Sequence, residues 1–379
     1  MTYLDHGATS FPKPQAVVNA MVCAMENCTN PGRGGYRAAM NASRVLLACR
    51  EQAGAMFDCQ PEQVVLTSGC THSLNMAIRT LVKPGSRVVI SGFEHNAVTR
   101  PLHALQAEIT VAGRKLFDRE DTLRSFEAAM KKGVDAVVFT HVSNVFGYIL
   151  PVEELSAMCQ KYHIPFIVDC AQSAGRLPVS LKKWDADFIA MPGHKGLLGP
   201  MGTGLLLCKN PPAPLLYGGT GSQSENQQMP AFLPDAGEAG TLNVAGFAGL
   251  CAGIAYVQKS GTDRIFSREQ MLMKRLIKGL EKFGYCVYSG ENQCGTVSFL
   301  PNCDPEEMAQ FLAKHNIAVR AGLHCAPLAH ESAGTLQTGT VRVSFGYDAA
   351  PWQNGNLLLA LEKFTEISGK STRKNSLNL

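Results

Sequence analysis

The sequence has no apolar run near the roughly 20 residues needed to span a bilayer. Its opening, Met1-Thr2-Tyr3-Leu4-Asp5-His6, lacks the basic-then-apolar pattern of a secretory leader. No membrane partner is expected, and a cytoplasmic location is. Charge is sparse at 17% of residues, the formal net charge is only +4, and no block of Lys or Arg stands out. That balance argues against nucleic acid or an anionic surface as the main partner. The mildly basic end, residues 370–374, is expected to fray as part of a disordered tail over 369–379. No Cys-x-x-Cys pair occurs, so no structural zinc and no metal site is expected. Thirteen cysteines are present, an odd number in a long chain. They read as reduced thiols, most of them small buried hydrophobes, rather than as a disulfide framework. The Gly-x-x-x-x-Gly-Lys-Ser/Thr loop of nucleotide enzymes is missing, and no Gly-x-Gly-x-x-Gly succeeds the first strand. Gly32-Arg33-Gly34-Gly35 comes early, with no strand before it.

What is present suits one large domain and a smaller one, at 379 residues and 45% hydrophobic composition. Short apolar runs at 63–66, 87–90, 136–140, 165–168, 187–190 and 204–207 read as strands. Helical patterns at 73–82, 122–132 and 152–162 alternate with them, the last opening after Pro151. Phe166-Ile167-Val168 is apolar on both faces, as in a sheet covered on both sides. The alternation predicts an α/β fold with a mostly parallel sheet. Residues 210–250 are rich in Gly, Pro, Ser and Gln and read as an extended loop. A long helix is predicted over 264–283, then strands at 296–300, 317–320 and 341–345 with a helix over 305–315. This second pattern is α+β, and the boundary falls near residue 255.

Ligands of open parallel sheets bind beyond the carboxyl ends of the strands, so the residues just past each strand are informative. After the first strand comes Thr67-Ser68-Gly69-Cys70-Thr71-His72, a small-residue turn into a helix and a natural phosphate cradle. Alone it is no more than an N-cap. The next strand ends deliver Glu94-His95-Asn96, His141-Val142-Ser143-Asn144, Asp169-Cys170-Ala171-Gln172 and Met191-Pro192-Gly193-His194-Lys195-Gly196. Five polar sets at one sheet edge are hard to explain as turns. Asp169 and Lys195 are the sharpest pair. A carboxylate that keeps a pyridine nitrogen protonated makes the ring an electron sink, and a lysine amine can hold an aldehyde cofactor as a Schiff base. Pyridoxal phosphate needs both.

These residues resemble the class V aminotransferase-like, fold-type I pyridoxal-phosphate enzymes, and within them the SufS-like cysteine desulfurases. The resemblance runs through Tyr3-Leu4-Asp5, residues 30–36, 68–71, Glu94-His95, Asn144, 169–172, Gly193-His194-Lys195, 238–241, 320–326 and Arg342. It implies a pyridoxal-phosphate-binding large domain over 13–255 and a small α+β domain formed by 1–12 and 256–368. It implies that Lys195 carries the cofactor, Asp169 pairs with its ring nitrogen and His95 stacks on the ring. Gln172 and Asn144 are implied near the phenolic oxygen, and Cys70, Thr71 and His194 at the phosphate. Thr241 in such enzymes reaches the phosphate of the neighbouring subunit, which implies a homodimer. Arg342 resembles the family's clamp for the substrate carboxylate. The family often has Ser or Thr where this chain has Pro192, so one fewer phosphate contact is expected. His6 and the 30–36 loop are expected near the site mouth.

The segment Arg320-Ala321-Gly322-Leu323-His324-Cys325-Ala326 separates chemistries. A desulfurase needs a thiolate on an accessible loop near positive charge, and Arg320 and His324 are close enough in sequence to supply it. The match to short-loop desulfurases makes Cys325 the expected sulfur acceptor. The implied reaction converts L-cysteine to L-alanine, leaving a persulfide on Cys325 that passes to a sulfur-acceptor protein. Selenocysteine lyase activity on L-selenocysteine uses the same site and is the alternative, with another class V lyase behind it.

Overall fold

The computed structural model describes residues 1–32 and 34–375. After a short β1 (Thr2–Tyr3) comes a seven-stranded sheet of β2 (Val64–Thr67), β3 (Arg87–Ser91), β4 (Glu108–Ala112), β5 (Ala136–Thr140), β6 (Phe166–Asp169), β7 (Phe188–Pro192) and β8 (Gly204–Cys208). Its spatial order is β2-β8-β7-β6-β5-β3-β4. Neighbours run parallel except at β8, which is antiparallel to β2 and β7. Every residue of β5, β6 and β7 is buried, because helices cover both faces and a strand in that position cannot alternate. The edge strand β4 was not among the expected strands. Its first three residues are exposed, so it lacks the continuous apolar signature of its neighbours.

A second sheet is antiparallel, made of β9 (Cys286–Tyr288), β10 (Thr296–Leu300), β12 (Arg320–Gly322) and β13 (Thr340–Ser344) in the order β12-β13-β10-β9. Its core joins Val297, Phe299, Val341 and Val343 to Leu272, Leu276, Met308, Leu312 and Leu357 of the covering helices. The single strand expected over 317–320 is two: β11 (Ile317–Ala318) pairs in parallel with β1, and β12 joins the second sheet. The chain's first residues are thereby built into this second unit. The boundary placed near residue 255 lies inside the helix Val244–Ser260, and the helical path breaks at Gly261, whose φ of 81° favours glycine. The tail expected at 369–379 is helical as far as Asn375. Residues 376–379, and Arg33 in the 30–36 loop, lie outside the described residues.

A buried ion pair joins the two units. Arg176 lies 3.4 Å from Glu269 and donates to the Phe345 carbonyl at 3.0 Å. Arg176 lies just past the turn after β6, Glu269 sits on the helix Thr262–Lys282, and Phe345 directly succeeds β13. No described helix is long and apolar enough to cross a membrane.

Candidate active site

The carboxyl ends of β2, β5, β6 and β7, with the turn after β3, open into one cleft of about 460 Å³. Cys70, Thr71, His95, Asn144, Asp169, Gln172, His194 and Lys195 all line it. Positions far apart in sequence thus face one space, as the strand-end reading expects.

The phosphate-type turn is built by steric necessity. Gly69 has φ 154°, and the helix Cys70–Leu81 starts directly after it. A Cβ on Gly204, the first residue of β8, would stand 2.5 Å from the Gly69 Cα, so only glycine lets the two backbones approach this closely. The amides of this helix start open to the cleft beside Thr71 and His194.

Asp169, the last residue of β6, is buried and held by the Ala171 amide at 2.8 Å and the Cys70 thiol at 3.5 Å. Both donors fix the carboxylate's orientation. Burial pushes the Lys195 amine below its ordinary range. Burial likewise lowers His95, whose Nδ1 accepts from the Ala97 amide at 3.0 Å and so caps the helix Asn96–Ala104. His194 is pushed down to about 4, first by burial and then by Lys195 and Lys13. Four donors converge on its carbonyl: the Ser10 amide, the Thr9 and Ser10 hydroxyls, and Lys13 Nζ at 2.8 Å. This clasp on the residue before Lys195 comes from the start of the chain, and nothing in its local sequence signals it.

Glu94 lies beneath His95. Its Oε1 accepts from the Ser91 hydroxyl at 2.5 Å and the Thr140 amide at 2.8 Å, tying β3 to β5, and burial raises it to about 8. Gln172 donates to the Gly7 carbonyl at 2.9 Å. Asn144 donates to the His324 carbonyl at 2.8 Å, while its buried Oδ1 has no partner.

Arg342 sits behind Asn144 rather than in the cleft wall. It donates to the Asn144 carbonyl at 3.0 Å and pairs with Asp5 at 2.7 Å, leaving Nε without a partner. Arg320 takes the other Asp5 oxygen at 3.0 Å, with its side chain half exposed. Cys325 is exposed, and its carbonyl accepts from the Asn96 amide at 2.8 Å, next to His95. Thr241 is exposed in a neighbouring groove that shares Thr71 and His72 with the cleft. His6 is buried against Asp348 at 3.2 Å. One expectation fails: His324 supplies no positive charge to Cys325, because burial and the nearby Arg342 push it down to about 2.

The donor set fits pyridoxal phosphate. A fixed buried carboxylate, an amine biased to its free base, an open helix start and an unpartnered Asn144 oxygen all face one cleft. Asp169 would meet the ring nitrogen, Lys195 the aldehyde carbon, and Cys70, Thr71 and His194 the phosphate.

Residues 2–351 match the family model for class-V aminotransferases. A probable cysteine desulfurase of Pyrococcus abyssi is 35% identical over 367 residues, covering 90% of this chain and 89% of that relative. One of Methanothermobacter thermautotrophicus is 33% identical over 365 residues, covering 91% and 90%. Among solved structures, the apo cysteine desulfurase of Thermococcus onnurineus superimposes with a TM-score of 0.89 at 32% identity, covering 96% of this chain and 94% of that one. The cysteine desulfurase CsdA of Escherichia coli, in an S-sulfonic acid form, gives 0.85 at 26% identity, covering 97% and 95%. The chain is therefore an α/β enzyme, and it belongs to the class-V aminotransferase family.

Proposed function

We propose that this chain is a pyridoxal-phosphate-dependent cysteine desulfurase that converts L-cysteine to L-alanine and receives the sulfur on Cys325. The observation that carries the reading is the placement of Cys325. Its backbone is hydrogen-bonded to Asn96, the residue after His95, and the preceding carbonyl to Asn144 of the cleft. The loop bearing this exposed thiol is thereby tied to Asn96 and to Asn144, one beside and one lining the cleft that Asp169 and Lys195 also line.

When bound, the cofactor supplies an electron sink for the carbanion formed at the substrate's α-carbon. The chain supplies the rest. Asp169 holds a proton at the ring nitrogen. Lys195 would hold the cofactor at its aldehyde carbon and, once the substrate's amine has displaced it there, would move the α-proton as a free base. His95 covers the ring face, and Gln172 and Asn144 orient its phenolic edge. Arg342, turning from Asn144 and Asp5 toward the cleft, and the half-exposed Arg320 would receive the substrate carboxylate. The Cys325 thiolate attacks the substrate sulfur. A sulfur–sulfur bond forms, the Cβ–S bond breaks, and its electron pair remains on carbon, which takes a proton to become alanine.

Relatives named cysteine desulfurase over nine-tenths of the chain support this reading. We further propose a homodimer in which the groove holding Thr241 abuts the partner's phosphate site. A sulfur-acceptor protein would dock at the exposed Cys325 loop. With the boundary moved from 255 to the helix end, the large unit would span 13–260 and the small one 1–12 and 261–368, working in a reducing, cytoplasmic setting where the thirteen thiols stay free.

The test is alanine release from L-cysteine with a reductant, in wild type and Cys325→Ala side by side. Alanine from the wild type alone supports the assignment. Equal alanine from both removes Cys325 from the reaction. No alanine from either, with a normal cofactor absorbance, means a different substrate, L-selenocysteine first.

A further inference from the structure

The loop that presents Cys325 is conformationally costly. His324 and Cys325 have φ of 52° and 56°, two consecutive non-glycine residues in the left-handed region. Such a pair persists only where the surroundings enforce it. Backbone contacts do part of this: Asn144 on the His324 carbonyl, Asn96 on the Cys325 carbonyl, and the Ala326 amide on Leu323.

Side chains do the rest from beneath. His324 and His330 have ring planes 11° apart, and His324 Nδ1 lies 3.3 Å from His330 Nε2. His330 Nδ1 lies 2.7 Å from the Thr335 hydroxyl, and His324 Nε2 lies 3.4 Å from the Arg320 carbonyl. His324, His330 and Thr335 are all buried, with His330 fully so. With both imidazoles neutral, one arrangement of protons satisfies every ring nitrogen. Thr335 donates to His330, His330 Nε2–H donates to His324 Nδ1, and His324 Nε2–H donates to Arg320. Burial agrees, lowering His330 to about 4, and the charges nearest His324 are Arg342 and Arg320, which disfavour an imidazolium.

We propose that His330 is a positioning residue for sulfur transfer, anchored by Thr335 and acting through His324 to hold the left-handed turn that sets Cys325 at the cleft rim. This rests on the reading of Cys325 as sulfur acceptor. His330 touches neither substrate nor cofactor. It decides where the acceptor thiol stands, and a displacement of about 1 Å can cost a reaction up to about a hundredfold.

The test compares His330→Leu, which keeps bulk and loses the donor, with His330→Gln, whose amide N–H can still reach His324. Two readouts are used in holoenzyme: persulfide on Cys325 by mass spectrometry in a single turnover, and amide hydrogen exchange of residues 323–326. The Leu variant is expected to slow persulfide formation about tenfold, with the KM for L-cysteine and the cofactor absorbance retained. Exchange should accelerate at 323–326 and nowhere in the large sheet, and the Gln variant should restore both readouts. Wild-type persulfide rate and exchange in the Leu variant would overturn the proposal. So would loss of cofactor together with accelerated exchange throughout, which would make His330 an ordinary core residue. If the wild type itself forms no persulfide, the reading of Cys325 falls. The exchange comparison then still decides whether His330 holds the turn.

Discussion

Arg342 Nη2 and Asp5 Oδ1 stand 2.7 Å apart, in a buried pair whose members are 337 residues apart in the chain. Asp5 simultaneously takes Arg320, opposite Arg342 in the β12–β13 register. One carboxylate therefore holds both guanidiniums. It also keeps two like charges on adjacent strands from repelling each other.

Replacing Asp5 by Asn leaves Arg342 buried without its counter-charge. Removing one partner of such a pair costs about 3 kcal/mol, which denaturant unfolding would read. The KM for L-cysteine should rise about tenfold as the guanidinium loses its orientation, while cofactor absorbance is retained. An unchanged KM would mean that Arg342 does not hold the carboxylate.

Glu94 makes a pH-dependent contribution with a definite sign. Burial raises its carboxyl from 4.5 to about 8, so the folded state prefers the neutral form. The stability this group contributes is fully present below about pH 4.5 and is lost as pH rises through about 8. Glu94→Gln has no such loss. Its stability relative to wild type should therefore grow by about 3 kcal/mol between about pH 5 and pH 8, followed by urea unfolding across that range. A difference independent of pH would show that Glu94 is ionised throughout.

The lowered amine of Lys195 can be checked without turnover. In apoprotein treated with cyanate over a pH series, carbamylation of Lys195 should reach half its plateau at lower pH than that of Lys115, which is two-thirds exposed. Coincident profiles would contradict the desolvation argument.

Pro192 ends β7 in the cleft wall and offers no hydroxyl and no amide hydrogen. Pro192→Thr should tighten cofactor binding about tenfold, the worth of one added hydrogen bond to a charged group. Equilibrium dialysis would measure it. An unchanged affinity would indicate that Thr71, His194 and the helix start already complete the phosphate's partners.

Much of this was legible in the chain itself. Each strand-end set is local: a buried apolar run, then the polar residues its end must present. Asp169, Lys195, His95 and the Ser68–Thr71 turn could be placed at one sheet edge because each ends or closely follows its strand in sequence. Only tertiary structure decided what those residues lean on. Asp5 reaches Arg342 because β1 joins the second unit through β11. Lys13 and Ser10 reach the His194 carbonyl from the chain's first residues. His330 folds back onto His324 because the chain turns at two left-handed residues, His324 itself and Cys325. Periodicity and spacing report how a segment meets water. They carry no information on which distant segment fills the space behind it, and here that space fixes the charge on His324 and the position of Cys325.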